Sequence, residues 1–136
     1  SFLKENIEPI EKSGKLNLIE SPKNNRLFDS TLNFEIIFVD GHTDKQMLPL
    51  IEFNNKKILF AADLIPTVGH LPIPYLMGYD IRPLVSLNEK KTILRECYDK
   101  DYLLFFEHDP YNELVSLKNT DKGIRLDKSF KIKDYF

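Results

Sequence analysis

The sequence has few of the features that mark secreted or membrane proteins. Its single cysteine, Cys97, cannot form an internal disulfide, and this favours a reducing compartment, the cytoplasm. No apolar run approaches the roughly 20 residues that are needed to span a bilayer. No signal-peptide pattern appears in the opening residues. The composition therefore gives no reason to expect a disulfide scaffold or a membrane protein.

An excess of charge of one sign is also lacking. The formal net charge is -2, and hydrophobic and charged residues make up 42% and 29% of the chain, as in ordinary globular proteins. Without a basic patch there is no electrostatic reason to expect binding to nucleic acid or to an anionic membrane. We therefore expect a partner of another kind.

The chain has 136 residues, which suits one domain or part of a larger one. It opens at Ser1 rather than at a methionine, inside a pattern of Phe2, Leu3, Ile7 and Ile10 that is typical of a helix. We therefore expect that native sequence is missing upstream.

Apolar runs alternate with polar turns along the rest of the chain and predict a layered α/β or α+β fold. A Ser86/Glu89 capping box predicts a helix to about Tyr98. The segment Leu64–Pro83 contains four prolines and two glycines and predicts a long functional or mobile loop. Strands are predicted at Leu16–Ile19, Phe34–Val39, Gln46–Phe53, Lys57–Ala62, Tyr102–Phe106, Leu114–Leu117 and Gly123–Leu126.

Three side chains that can bind metal follow the ends of three apolar strands. They are His42, Asp63 and His108. Imidazole and carboxylate are ligands that zinc, iron and manganese accept, and a strand end holds them rigidly. Taken singly, each histidine could instead be a surface residue, and Asp63 could be a cap or a turn former.

Together the three motifs resemble those of the metallo-β-lactamase superfamily. Gly41-His42-Thr43 resembles its histidine motif, and Ala62-Asp63 resembles its aspartate motif, in which Gly-Asp is more usual. The stretch 106–109, Phe-Glu-His-Asp, resembles its last motif, with Glu107 where glycine is common. The resemblance covers residues 30–126 and implies an α+β fold, half of an αββα sandwich with a mixed or antiparallel sheet and flanking helices.

The resemblance also implies a centre of two divalent metal ions, zinc in the first place and iron or manganese as alternatives. His42 would bind the first ion, Asp63 would bridge both, and His108 would bind the second. The superfamily's H-x-H-x-D-H signature is missing, since the chain has only three histidines. We therefore expect residues 1–136 to be the C-terminal part of a longer domain whose N-terminal half is absent. Alone, the chain should bind metal weakly and catalyse little.

A half sandwich exposes one apolar sheet face, so we expect it to pair with the missing N-terminal half or with another copy of the chain. In the long loop, His70, Tyr75 and Tyr79 are candidates for binding a small-molecule substrate. His70 could equally be a loop histidine with a solvent or backbone partner, and the tyrosines could simply hold the loop to the body. The charged run 89–91 is interpreted as a solvated helix face, and Cys97 as inert core.

The resemblance implies a metal-dependent hydrolase of a small ester, lactone or related acyl substrate. The Pro-rich loop and the His-Asp strand ending look most like the branch with lactonases and organophosphate hydrolases. The alternative function is a non-catalytic interaction domain that pairs through its exposed sheet face.

Overall fold

The computed structural model describes residues 3–134, which form one mixed β-sheet with a long helix packed on it. The helices are α1 (Lys4–Lys12) and α2 (Pro83–Asp99). The strands are β1 (Arg26–Asp29), β2 (Phe34–Val39), β3 (Gln46–Phe53), β4 (Lys56–Phe60), β5 (Leu103–Phe105), β6 (Leu114–Thr120) and β7 (Gly123–Phe130). No helix in this range is long and apolar enough to cross a bilayer.

The strands lie side by side in chain order, from β1 to β7. Every neighbouring pair is antiparallel except β4 and β5, which are parallel. The exception follows from α2, because a parallel pair needs a crossover between its strands. The predicted α+β class, with a mixed sheet, is confirmed.

The two faces of the sheet are covered unequally. On one face the strands pack against α2 through Ile93, Leu94 and Cys97, and burial there raises the pKa of the Cys97 thiol to about 12. The opposite face holds a smaller cluster and an open groove of about 310 Å³, which we call the open-face groove. Its lining is entirely apolar: Ile51, Phe53, Ile58, Phe105, Leu114 and Ile132.

The hairpin between β3 and β4 turns at Asn54 and Asn55. Both residues have positive φ, 48° and 61°, which asparagine tolerates and which matches the twist of a tight hairpin. We expected Pro49 to require a bulge or an edge strand. That prediction is wrong, because β3 lies inside the sheet and its register with β2 and β4 is regular. Proline is tolerated there because the ladder between β3 and β4 ends at Leu50 and does not include Pro49.

The secondary structure differs from the prediction at three places. The segment Leu16–Ile19 is not a strand, and β1 was not predicted. The helix α2 begins at Pro83 rather than after Ser86, because proline suits a first helical turn that needs no N–H partner. The predicted helix near the start is α1, except that Phe2 lies outside the described residues.

Candidate metal centre

Three strand ends bring the three predicted ligands together. The carboxylate of Asp63, just after β4, lies between two imidazoles. Its Oδ2 is 3.4 Å from Nε2 of His42, which follows β2. Its Oδ1 is 3.1 Å from Nε2 of His108, which follows β5. Each carboxylate oxygen therefore faces one imidazole nitrogen, which is the arrangement that a bridging ligand requires.

The turn that carries His42 is held against the start of α2. The Glu89 carboxylate accepts hydrogen bonds from the backbone N–H groups of Asp40 and Gly41, at 2.7 and 3.0 Å. A Cβ atom on Gly41 would lie 2.3 Å from the backbone nitrogen of Ser86, so only glycine fits there. Glu89, which we expected to cap its own helix or face solvent, instead fixes the histidine turn.

Asp80 sets the orientation of the His42 ring. Its Oδ1 lies 2.8 Å from His42 Nδ1, and its side chain is only 4% exposed. Because a carboxylate accepts hydrogen bonds, the ring hydrogen belongs on Nδ1, and the lone pair of the neutral ring is then on Nε2, facing Asp63. Carboxylate–histidine pairs of this kind commonly orient metal-binding histidines. Sequence reasoning missed Asp80, which lies 38 residues from His42.

The backbone before Asp63 is strained. Ala62 has a φ of 43°, a left-handed conformation that costs a non-glycine residue roughly 1 kcal/mol or more. The preference for Gly-Asp in the resembling motif has the same physical reason. The chain tolerates this strain at the point where Asp63 leaves the sheet, which is where functional sites often carry it.

His108 is positioned by the residue after it. The Asp109 carboxylate accepts hydrogen bonds from the N–H groups of Val68, Tyr111 and Asn112. Burial opposes the negative charge of Asp109, but these hydrogen bonds outweigh it and lower its pKa. The His108 N–H donates to Pro66 O at 3.2 Å. The loops after β4 and β5 are thereby joined.

Glu107, which stands where the motif commonly has glycine, adds a further donor. Its Oε1 is 3.9 Å from His108 Nε2. Ligand atoms of Asp63, Glu107 and His108 all lie within 4.8 Å of one another. His42 lies on the other side of the Asp63 carboxylate, so the side chains of these three residues and His42 form one continuous cluster.

The three predicted substrate residues lie in different surroundings. The Tyr79 ring stands edge-on to the His42 ring, with 5.6 Å between the ring centroids, and the Tyr79 residue is exposed to solvent. Tyr75 is also exposed. His70 Nδ1 lies 2.8 Å from the Thr67 hydroxyl, and its pKa is lowered by burial and by the nearby Lys90 ammonium.

Lys90 connects α2 to the long loop. Its ammonium donates to three backbone carbonyls, those of His70, Pro72 and Tyr75, at 3.0, 2.9 and 2.7 Å. The residue is 0% exposed, so the interpretation as part of a solvated face is wrong. Burial lowers its pKa to about 8, which still leaves it protonated at neutral pH with one N–H for each carbonyl.

The donor set fits a divalent transition metal. Imidazole nitrogens and carboxylate oxygens are what zinc, iron and manganese bind, and these donors point at a common region. The His108 side chain is 50% exposed, so the region is open to an ion and to a substrate. Three or four donors leave coordination positions for water or substrate, as catalytic sites require.

Comparison by sequence gives no matching family model and no matching curated protein. Comparison by structure gives a probable metal-dependent hydrolase from Staphylococcus aureus (TM-score 0.72, 24% identity, 87% of this chain and 40% of that chain). It also gives AidC, a dizinc quorum-quenching lactonase, with a TM-score of 0.72 and 23% identity over 93% of this chain and 43% of that chain. A third neighbour is AbOPH, a hydrolase in the beta-lactamase superfamily, with a TM-score of 0.71 and 16% identity over 94% of this chain and 43% of that chain. The chain has part of a metallo-β-lactamase fold.

The metallo-β-lactamase fold that the three motifs implied is thus confirmed in the backbone. The chain spans only 40–43% of the length of these three neighbours. The neighbours are hydrolases, and they include a lactonase with two zinc ions and a lactone hydrolase with N-hexanoyl-L-homoserine at its catalytic metal centre.

Proposed function

We propose that residues 1–136 are the C-terminal part of a metal-dependent hydrolase that acts on a small ester, lactone or related acyl substrate. The observation that carries this proposal is the Asp63 carboxylate, which has one imidazole facing each oxygen where the ends of β2, β4 and β5 bring the three side chains together. His42, Asp63 and His108 are the proposed metal ligands.

Each residue has a definite task in the proposed reaction. Two divalent cations, zinc or else iron or manganese, would supply an activated water and polarise the scissile carbonyl. His42, oriented by Asp80, presents Nε2 to the centre, and Asp63 holds the two halves of the donor set together. Tyr79, at the edge of the His42 ring, is proposed to form one wall for the substrate, with Tyr75 and His70 further along the same loop.

The chain is proposed to work with a partner that completes the domain. The expected partner is the N-terminal half of the fold or another copy of the chain. The open-face groove supports this, because an apolar surface of that kind on a sheet face is normally covered. The apolar side chains of Leu3, just before α1, and of Ile7 and Ile10 on α1 are also exposed, by 44–59%.

The proposal is tested by metal content and by hydrolysis. After dialysis, the protein translated from the longer coding sequence should retain zinc, iron or manganese and hydrolyse an N-acyl homoserine lactone or a nitrophenyl ester. The 136-residue chain alone should be much less active. A longer protein that retains no metal and cleaves none of these substrates would contradict the proposal.

The alternative, a non-catalytic interaction domain, is favoured by one specific observation, the open-face groove. On this interpretation the chain is not a monomer in solution. Light scattering that gives a dimeric or larger mass, from a protein that holds no metal, would favour the interaction domain over the enzyme. A sharp monomeric mass with full stability would count against pairing of the chain, whether the chain is an interaction domain or part of an enzyme.

In the protein that includes the N-terminal half, where His42 is proposed to bind metal, Asp80→Asn is expected to weaken zinc binding about tenfold while leaving the fold intact. The change removes the negative charge that holds His42 Nδ1 at 2.8 Å, and loss of such a partner typically costs 10–100-fold in metal affinity. Asp44→Asn is the matched control, because Asp44 is an exposed carboxylate paired with Arg82. Calorimetric titration with zinc measures the affinity of both variants. If Asp80→Asn binds zinc as tightly as Asp44→Asn and the wild type do, Asp80 does not orient the ring.

A further inference from the structure

We propose that Glu107 is a third metal ligand and that Asp63, Glu107 and His108 form a site for one divalent cation within this chain alone. The inference rests on the proposed function, since it extends the same metal centre. It goes further in naming a carboxylate ligand at a position where the resembling motif usually has glycine, and in making one site independent of any N-terminal half.

The first support is the placement of the donors. Ligand atoms of the three side chains lie within 4.8 Å of one another, and Glu107 Oε1 is 3.9 Å from His108 Nε2. A cation placed among them would have donors from two separate strand ends, Asp63 after β4 and the other two after β5. Glu107 and His108 are both about half exposed, so their side chains have room to turn toward a cation.

The second support is the rigidity of the backbone on both sides of Glu107. Before it, Phe106 N–H donates to Glu113 O at 3.3 Å, and Phe106 is buried. After it, His108 N–H donates to Pro66 O, and the Asp109 carboxylate joins the segment to Val68. The backbone thus holds Glu107 beside the centre, and ligand sites on a fixed backbone lose less entropy on binding.

The third support is charge. Asp63 and Glu107 bring two carboxylates to one small region, and within residues 3–134 neither forms an ion pair with a lysine or arginine. The ionisable groups beside them are the imidazoles of His42 and His108. A divalent cation would neutralise both carboxylates at once. Two carboxylates and one imidazole are a donor set suited to zinc, manganese or iron, with open positions left for water.

The expected consequence is that the 136-residue chain binds one zinc ion per molecule. The proposed Glu107 ligand makes this binding stronger than the sequence analysis expected for an isolated half. Full hydrolytic activity still needs the donors of the missing half. Metal binding and catalysis are therefore separable in this chain.

The test is calorimetric titration of zinc chloride into the chain and its variants, with circular dichroism to check that each is folded. Glu107→Gln is expected to weaken binding at least tenfold, since even residues that only orient ligands contribute 10–100-fold. Glu20→Gln removes the same charge at an exposed position between α1 and β1 and should change affinity less than twofold. Asp63→Asn reports on the centre itself.

The outcomes separate the two proposals. If Glu107→Gln binds zinc like the wild type while Asp63→Asn does not, the inference about Glu107 is wrong and the metal centre remains. If the wild-type chain binds no zinc, the three-ligand site within this chain is wrong, and the proposed centre is then judged by the metal content of the protein that includes the N-terminal half. If Asp63→Asn binds zinc as tightly as the wild type, both the three-ligand site and the proposed centre are wrong. A stoichiometry of one with both variants weakened supports the inference.

Discussion

Asp63→Asn is expected to lower the affinity for zinc by about 100-fold or more. Asp63 offers one oxygen to each side of the centre, 3.4 Å from His42 Nε2 and 3.1 Å from His108 Nε2. Loss of a residue that merely orients a ligand already costs 10–100-fold, so loss of a charged ligand, which Asp63 is proposed to be, should cost more. Asparagine keeps the size of the side chain, and the variant should therefore fold.

The measurement is competition for zinc against a chelator of known affinity, followed for wild type and variant at one pH. Asp127→Asn, a replacement of the same kind on an exposed position of β7, is the control and should leave the affinity unchanged. An Asp63→Asn variant that holds zinc as tightly as the wild type would mean that the ion binds elsewhere.

Lys90→Met is expected to reduce the free energy of unfolding by about 3 kcal/mol. Methionine fills a similar volume, but it leaves three loop carbonyls without the ammonium that now lies 2.7–3.0 Å from them. A buried polar group left without a partner costs about 1–3 kcal/mol, and part of the loop can regain water by opening. The loop 65–82 should accordingly become more sensitive to proteolysis.

Urea unfolding followed by circular dichroism measures this effect, with Lys91→Met as the matched control. Lys91 is the exposed neighbour of Lys90 on α2, and its replacement should change the free energy of unfolding by less than about 0.5 kcal/mol. If both variants unfold at the wild-type urea concentration, the three hydrogen bonds do not hold the loop.

Much of the sheet could be predicted from the sequence. The segments that form β2, β3, β4 and β5 are apolar and rich in branched or aromatic residues. Side chains of each strand are buried on the α2 face of the sheet. The strand β1 was not predicted, because its four residues include Arg26 and Asp29 and carry little apolar signal. Its pairing with β2 provides the hydrogen-bond partners that its composition does not suggest.

The positions of the proposed ligands were predictable because they follow strand ends, whereas the residues that support them were not. Asp80 and Glu89 reach the His42 turn from 38 and 48 or more residues away, and no local pattern relates them to it. Their roles depend on how the long loop and α2 lie over the sheet. Only the folded backbone defines that placement.

The burial of Lys90 did have a sequence signal that was overlooked. It precedes Ile93, Leu94 and Cys97 by three, four and seven residues, which places it on the apolar stripe of α2. We gave its charge more weight than its position. What the sequence could not show is why a charge is acceptable there, since the three acceptor carbonyls belong to the Pro-rich loop.

Anomalous diffraction from crystals soaked in zinc tests the proposed metal centre most directly. We expect a zinc peak at Asp63, with imidazole nitrogen and carboxylate oxygen at about 2.0–2.2 Å, and with His42 or His108 as the nitrogen ligand. A zinc peak bound only at other surface residues, with His42, Asp63 and His108 all free of metal, would contradict it.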